Sequence, residues 1–217
     1  MNSEVKKQNA YLENLNWRYA TKQFDPSKKV SKENLELLME SVRLSASSYG
    51  LQPYEIVVVE DLETRKKLKD AAYGQPQLID SNYVFVFSNF RKIEEKHVED
   101  YMQNISDTRN VSREDLKGME DTIKNTINSL SQEQQQIWGA KQAYLALGNF
   151  LSAAANSRID ACPMEGFENE KFDEILHLKD KNLKSAVIAC IGYRSEEDSL
   201  QYQEKVRKSK SEIFHII

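Results

Sequence analysis

The chain has 217 residues, 40% of them hydrophobic, which is enough for one domain spanning 1–217 with a sizeable core. Its 30 Lys and Arg nearly balance 34 Asp and Glu, and a net charge of −4 gives no broad field for gathering nucleic acid or an anionic bilayer, so any anion site has to be local. No apolar run approaches the ~20 residues of a bilayer span, and MNSEVKKQNAYLENLN lacks the apolar core of a signal peptide, so a cytosolic protein is expected, with neither a membrane nor a nucleic acid as partner.

In chain order, helical patterning covers residues 3–15 and 31–44, and a β-rich run at Tyr54–Val59 reads as the first strand. A helix over 62–72 precedes a second strand at 83–87, and helices follow at 93–104 and 113–130. Ser131 with Gln134 three residues on is a capping box that opens a helix running to Asn156, on the order of 40 Å long. From Trp138 this helix becomes AKQAYLALGNFLSAAANS, small or apolar around much of its circumference, and so is expected to be buried on most sides, either within one chain or against a second copy. A weaker strand at 159–163, a short helix at 171–176 and a strand at 186–193 complete an α+β pattern, a sheet covered by helices. The remainder, 195–217, reads as a charged extended arm.

Several familiar chemistries find no support. Cys162 and Cys190, 27 residues apart in apolar surroundings, match no zinc or redox spacing, and His97, His177 and His215 form no HxxxH pair, so no metal is expected. The seven glycines form neither GxGxxG nor GxxxxGK, and no GxSxG elbow exists.

Five small clusters remain. WRYATKQFDPSKKV places Arg18 and Lys22 four apart, on one face if helical, which suits a phosphate clamp or a solvated pair. SASSYGLQPY offers the hydroxyls of Ser47 and Ser48 and the backbone around Gly50, and AAYGQPQLID offers the amides of Gln75 and Gln77, each both donor and acceptor. In DACPMEGFEN, Gly166 after Pro163 and Glu165 permits close backbone approach to a planar ligand. EKVRKSK puts Lys205 and Arg207 on one face of an extended chain. Taken alone, the basic pairs and the Ser and Gln loops fit a solvated surface or an ordinary connection better than a site, and the Gly166 segment fits a plain turn with the same residues.

In this order and at these intervals the segments RYATKQFD, SASSYGLQPY, WGAKQAYLALGNFL, PMEGF and KVR resemble the nitroreductase family of FMN enzymes, from about Leu15 to about Arg207. The resemblance implies an α+β sandwich, a central antiparallel or mixed sheet covered by helices, in an intertwined homodimer with the long helix at the interface and FMN between subunits. It implies that Arg18, Lys205 and Arg207 face the phosphate beside Tyr19 and Ala20, that Lys22 reaches the ring's N1 and O2 edge, and that Ser47, Ser48 and Gly50 contact flavin from the partner. Gln77, and less directly Gln75, would lie near the pyrimidine end, and the backbone N–H of Glu165 or Gly166, after Pro163, would donate toward N5. Ala20 stands where a Ser is frequent, and Tyr49-Gly50 where many members carry Thr or Ser and Asn. No side chain is implied as catalytic acid or base, because the flavin carries the redox chemistry. The implied activity is ping-pong hydride transfer from NADH or NADPH to small electron-poor acceptors such as nitroaromatics and quinones, with substrate-covering residues in 94–130. The alternatives are a dedicated metabolite substrate such as a pterin or enone, and a flavin-binding protein without turnover.

Overall fold

The computed structural model describes residues 3–217. Helix α1 (Ser3–Trp17) is followed by α2 (Lys32–Arg43), which Ser31 caps by accepting the Asn34 N–H. Strand β1 (Tyr54–Val59) leads through α3 (Leu62–Asp70) and a four-residue helix α4 (Gln77–Asp80) into β2 (Tyr83–Phe90). An excursion of two helices, α5 (Glu95–Arg109) and α6 (Lys117–Asn128), precedes the long α7 (Gln132–Asn156), which starts with the expected Ser131–Gln134 capping box. Strand β3 (Asp160–Met164), α8 (Asn169–Ile175), β4 (Leu183–Gly192) and a last short helix α9 (Lys210–Ile213) complete the chain.

The sheet order is β1-β2-β4-β3, antiparallel at every strand pair. A parallel relation occurs only at the isolated bridge Ala20–Ala161, so the antiparallel form of the expected sheet is the one realised. Strands β2 and β4 are longer than patterning suggests. Polar Ser88 and Asn89 continue the ladder opposite Ser185 and Lys184 after a bulge at Phe87/Ser88, because pairing with a neighbour overrides side-chain type.

Alternation along the strands divides the interior into two layers. Phe85, Phe87, Val187, Ala189 and Ile191 face α2 and α7, where Phe150 packs its ring 4.7 Å from Phe85 and 5.6 Å from Phe87, centroid to centroid. Val84, Val86, Ile188, Cys190 and Cys162 face the opposite way, onto Leu68 of α3, Leu78 of α4 and Phe172 of α8. Both thiols are buried and free, as their surroundings in the sequence suggest. A third cluster, including Met102, Ile105 and Ile123, ties α5 to α6 beyond the sheet.

Ala143, Ala146 and Ala154 let α7 approach the sheet closely, but burial is one-sided within this chain. Ile137 and Leu145 are each 50% exposed and Tyr144 is 38% exposed. No helix among the described residues is long and apolar enough to cross a membrane.

Candidate functional site

The site begins where α1 ends. The Arg18 N–H closes the last turn on the Asn14 carbonyl, and the chain then runs extended beside β3, fixed by the Ala20–Ala161 bridge. Arg18 therefore lies on non-helical chain leading into the bridge and Lys22 at a bend just after it, instead of on one helix face, a difference that no local pattern encodes because the sheet edge supplies the pairing partner. Thr21 turns inward and donates to Asp160 at 3.4 Å, while Arg18, Tyr19, Ala20 and Lys22 line a cavity of about 730 Å³. Lys205 and Arg207, from the opposite end of the chain, line the same cavity.

Two carboxylates build this arrangement. Asp198 Oδ2 accepts the backbone N–H of Lys22 at 2.7 Å, that of Gln23 at 3.1 Å and the Tyr19 hydroxyl at 2.9 Å. Its Oδ1 accepts the Leu200 N–H at 3.1 Å, so one buried side chain joins the first basic segment to the turn from which the second departs. Burial works to raise the Asp198 carboxyl, but the N–H groups of Gln23 and Lys22, the Tyr19 hydroxyl and the Leu200 N–H together outweigh it and hold the group below its ordinary value. Asp160 holds Arg194, whose guanidinium carbon lies 4.1 Å from the Trp17 ring centroid and 4.6 Å from that of Tyr19, which stiffens the cavity wall. Sequence reasoning missed Asp160, Arg194 and Asp198, whose partners are 34 to 179 residues away.

The electrostatics of the cavity are lopsided. Among the described residues, none of Arg18, Lys22, Lys205 and Arg207 pairs with a carboxylate. Burial, then the neighbouring Arg207 charge, lowers the Arg18 pKa; burial, then Arg18 and Arg207, lowers that of Lys205. Lys205 Nζ also donates to the Arg18 carbonyl. Arg18 and Lys205, each penalised by burial and by a neighbouring cation, form with Arg207 a site that an anion would relieve.

The remaining clusters fall into two groups. Parallel pairing sets Lys22 alongside the end of β3, near half-buried Pro163, and the exposed turn Glu165–Gly166 follows directly. Gln75 reaches this turn, donating from Nε2 to the Gly166 carbonyl at 2.7 Å, and Tyr144 donates to Glu165 Oε1 at 2.5 Å. Gln77 is buried, its amide directed at Cys162, and its Oε1 has no hydrogen-bond partner among the described residues. Burial raises the Cys162 thiol, with the Lys22 and Arg18 charges pulling the other way, so β3 underlies the cations.

Ser47, Ser48 and Gly50 do not line the cation cavity within this chain. Ser47 Oγ accepts the Gln52 N–H at 3.0 Å, and the Ser48 N–H donates at 2.8 Å to Gln142 Oε1 of α7. Tyr49 and Gly50 have φ of 58° and 77°, and the Tyr101 hydroxyl of α5 bonds the Tyr49 carbonyl at 2.8 Å. The missing side chain at Gly50 makes room for that tyrosine, since a Cβ there would strike its hydroxyl.

The sequence model of the nitroreductase family matches residues 15–193. The chain belongs to the nitroreductase family. A Staphylococcus epidermidis relative named "Putative NAD(P)H nitroreductase SERP2086" is 35% identical over 217 aligned positions, covering 93% of this chain and 94% of that protein. Among solved structures, ydfN of Bacillus subtilis superposes with a TM-score of 0.87 at 22% identity, covering 97% of this chain and all of that one. A nitroreductase structure from Exiguobacterium sibiricum in complex with FMN gives a TM-score of 0.82 at 17% identity over 95% of this chain and 97% of its own. At those identities the two structures establish the nitroreductase fold, and family membership rests on the sequence match. It accounts for the order of the five clusters.

Proposed function

We propose that this nitroreductase family member is an FMN-dependent NAD(P)H oxidoreductase, acting on small electron-poor acceptors such as nitroaromatics and quinones by alternating binding of donor and acceptor. The observation that carries the proposal is the cavity with Arg18, Lys22, Lys205 and Arg207 paired to no carboxylate among the described residues, where burial and then the neighbouring cations lower the Arg18 and Lys205 pKa values. A phosphomonoester of nearly two negative charges fits this environment, each charge-assisted hydrogen bond contributing about 1.5–3 kcal/mol. Arg18 and Lys22 line the same cavity, and both charges act on the Cys162 thiol of β3, the strand that the Glu165–Gly166 turn follows. Phosphate toward Arg18 and ring toward Lys22 and this turn match the polarity of FMN. When bound, FMN supplies the redox chemistry, its N5 taking hydride from the nicotinamide and passing it to the acceptor. Arg18, Lys205 and Arg207 hold the phosphate, Lys22 offers positive charge at the pyrimidine edge, and the turn offers backbone N–H groups at N5.

The protein acts as a homodimer in this proposal. Support comes from the apolar stripe that α7 leaves uncovered, from Phe214, exposed at 66% on the C-terminal arm, and from the position of Ser47 and Ser48 outside the cavity of their own chain.

The purified protein is expected to carry bound flavin absorbance that NADH or NADPH bleaches without oxygen and that a quinone or nitroaromatic restores. A protein that stays colourless after incubation with FMN ends the proposal, and flavin that neither nicotinamide bleaches reduces it to a binding role.

A further inference from the structure

The turn after β3 leaves the sheet as exposed chain, yet it is held from two distant elements. Tyr144, at the middle of α7 beside exposed Leu145, donates its hydroxyl to Glu165 Oε1 at 2.5 Å. Gln75, in the connection between α3 and α4, donates from one Nε2 to the Gly166 carbonyl at 2.7 Å and to the Ala72 carbonyl at 3.1 Å. A tight Phe167 N–H to Glu165 carbonyl bond of 2.9 Å crosses the turn, and the Glu168 N–H anchors its exit on the Ala71 carbonyl at 2.8 Å. The N–H groups of Glu165 and Gly166 bond no backbone acceptor outside strands among the described residues. The Glu165–Gly166 peptide is therefore bracketed: its flanking side chain is fixed by Tyr144, its flanking carbonyl by Gln75, and its own N–H bonds no protein acceptor among the described residues.

We propose that Tyr144 and Gln75 are positioning residues that clamp the Glu165–Gly166 peptide so that its N–H is held toward the redox-active edge of a bound flavin. This rests on FMN occupying the cavity as described above. Two long-range bonds to groups on either side of one peptide remove its freedom to rotate, which a loop bond network of shorter reach does not. Burial and the Glu165 carboxylate push the Tyr144 hydroxyl up to about 12, so it remains a donor through the working pH range. Gly166 carries no side chain to shield the N–H, and a Cβ there would sit 3.4 Å from the Gln75 amide nitrogen.

An N–H aimed at N5 favours the oxidised ring, where that atom has a free lone pair, so loosening the peptide shifts the two-electron equilibrium toward the reduced ring. Tyr144→Phe removes one donor, and Gln75→Leu removes the donor to the Gly166 carbonyl without adding a charge near the ring. Redox titration of the FMN-loaded proteins is expected to show about a tenfold shift for either variant, a midpoint about 30 mV more positive, with a displaced flavin absorption band. Oxidised FMN is expected to bind about tenfold more weakly and reduced FMN about as tightly as to wild type, because a potential shift of that size is the ratio of the two affinity changes. Folded, flavin-loaded variants with the wild-type potential and spectrum overturn the clamp but leave FMN binding standing; so does a loss of FMN affinity at unchanged potential. Wild-type protein that does not take up FMN overturns both proposals. If Tyr144→Phe fails to fold, Gln75→Leu, at a half-buried position, decides alone.

Discussion

Arg18 and Lys205 are penalised by burial and by the neighbouring Arg207 charge without an anion, and the value of these residues to the molecule is in binding. Arg18→Ala and Arg207→Ala are each expected to weaken FMN binding by about 10- to 100-fold in equilibrium dialysis, the loss of one charge-assisted bond. Asp198 is a different case, a carboxylate with four donors that holds the site together from behind. Its lowered pKa means that its contribution is fully present above the unfolded value near 4 and is lost as pH falls through the lower folded value. Asp198→Asn should therefore lower stability at neutral pH and flatten the acid side of the stability profile, measured by urea unfolding between about pH 2 and 7. The basic residues were recognisable in the sequence as candidates, but a lone Arg-Lys pair looks the same whether it clamps a phosphate or meets solvent. Asp198 gave no signal, since nothing nearby in sequence distinguishes a carboxylate with four buried partners from a solvated one.

At the scale of elements, α7 carries both functions that its composition suggests. One side packs Phe150 between Phe85 and Phe87, and Phe150→Ala is expected to cost about 3–5 kcal/mol of unfolding free energy, read by denaturant titration. The other side presents Tyr144 to the β3 turn and leaves Ile137 and Leu145 uncovered. The excursion α5–α6 is docked on the 48–50 turn through Tyr101, so Gly50→Ala, which combines a positive φ with a clash at that hydroxyl, should destabilise by about 1–2 kcal/mol and loosen α5 in hydrogen exchange. Helix α7 and strand β1 were legible because capping chemistry and β-branched runs are local. The ends of β2 and β4 were not, because Ser88 and Asn89 are strand residues only by virtue of their partners in β4.

For the whole molecule, the two basic segments stand 187 residues apart and meet at one cavity, with a carboxylate, a sheet edge and a cation–aromatic stack setting their distance. The arm beyond them ends in exposed Phe214 and Ile216, surfaces that fit a second copy. Deleting 208–217 leaves every cation of the cavity in place and should shift sedimentation from dimer toward monomer while lowering the thermal midpoint; an unchanged dimer would argue that α7 alone supplies the interface. The sequence by itself determined the helices with strong caps, the buried strands, the buried thiols and the family, since local propensity and ordered short segments carry that information. Only the tertiary structure decided that Arg18 and Lys22 lie on non-helical chain either side of a sheet-edge bridge, that Asp198 joins the two ends, and that Tyr144 and Gln75 converge on one turn. Those relations depend on backbone pairing and side-chain reach between residues far apart in the chain, and no spacing along the sequence encodes them.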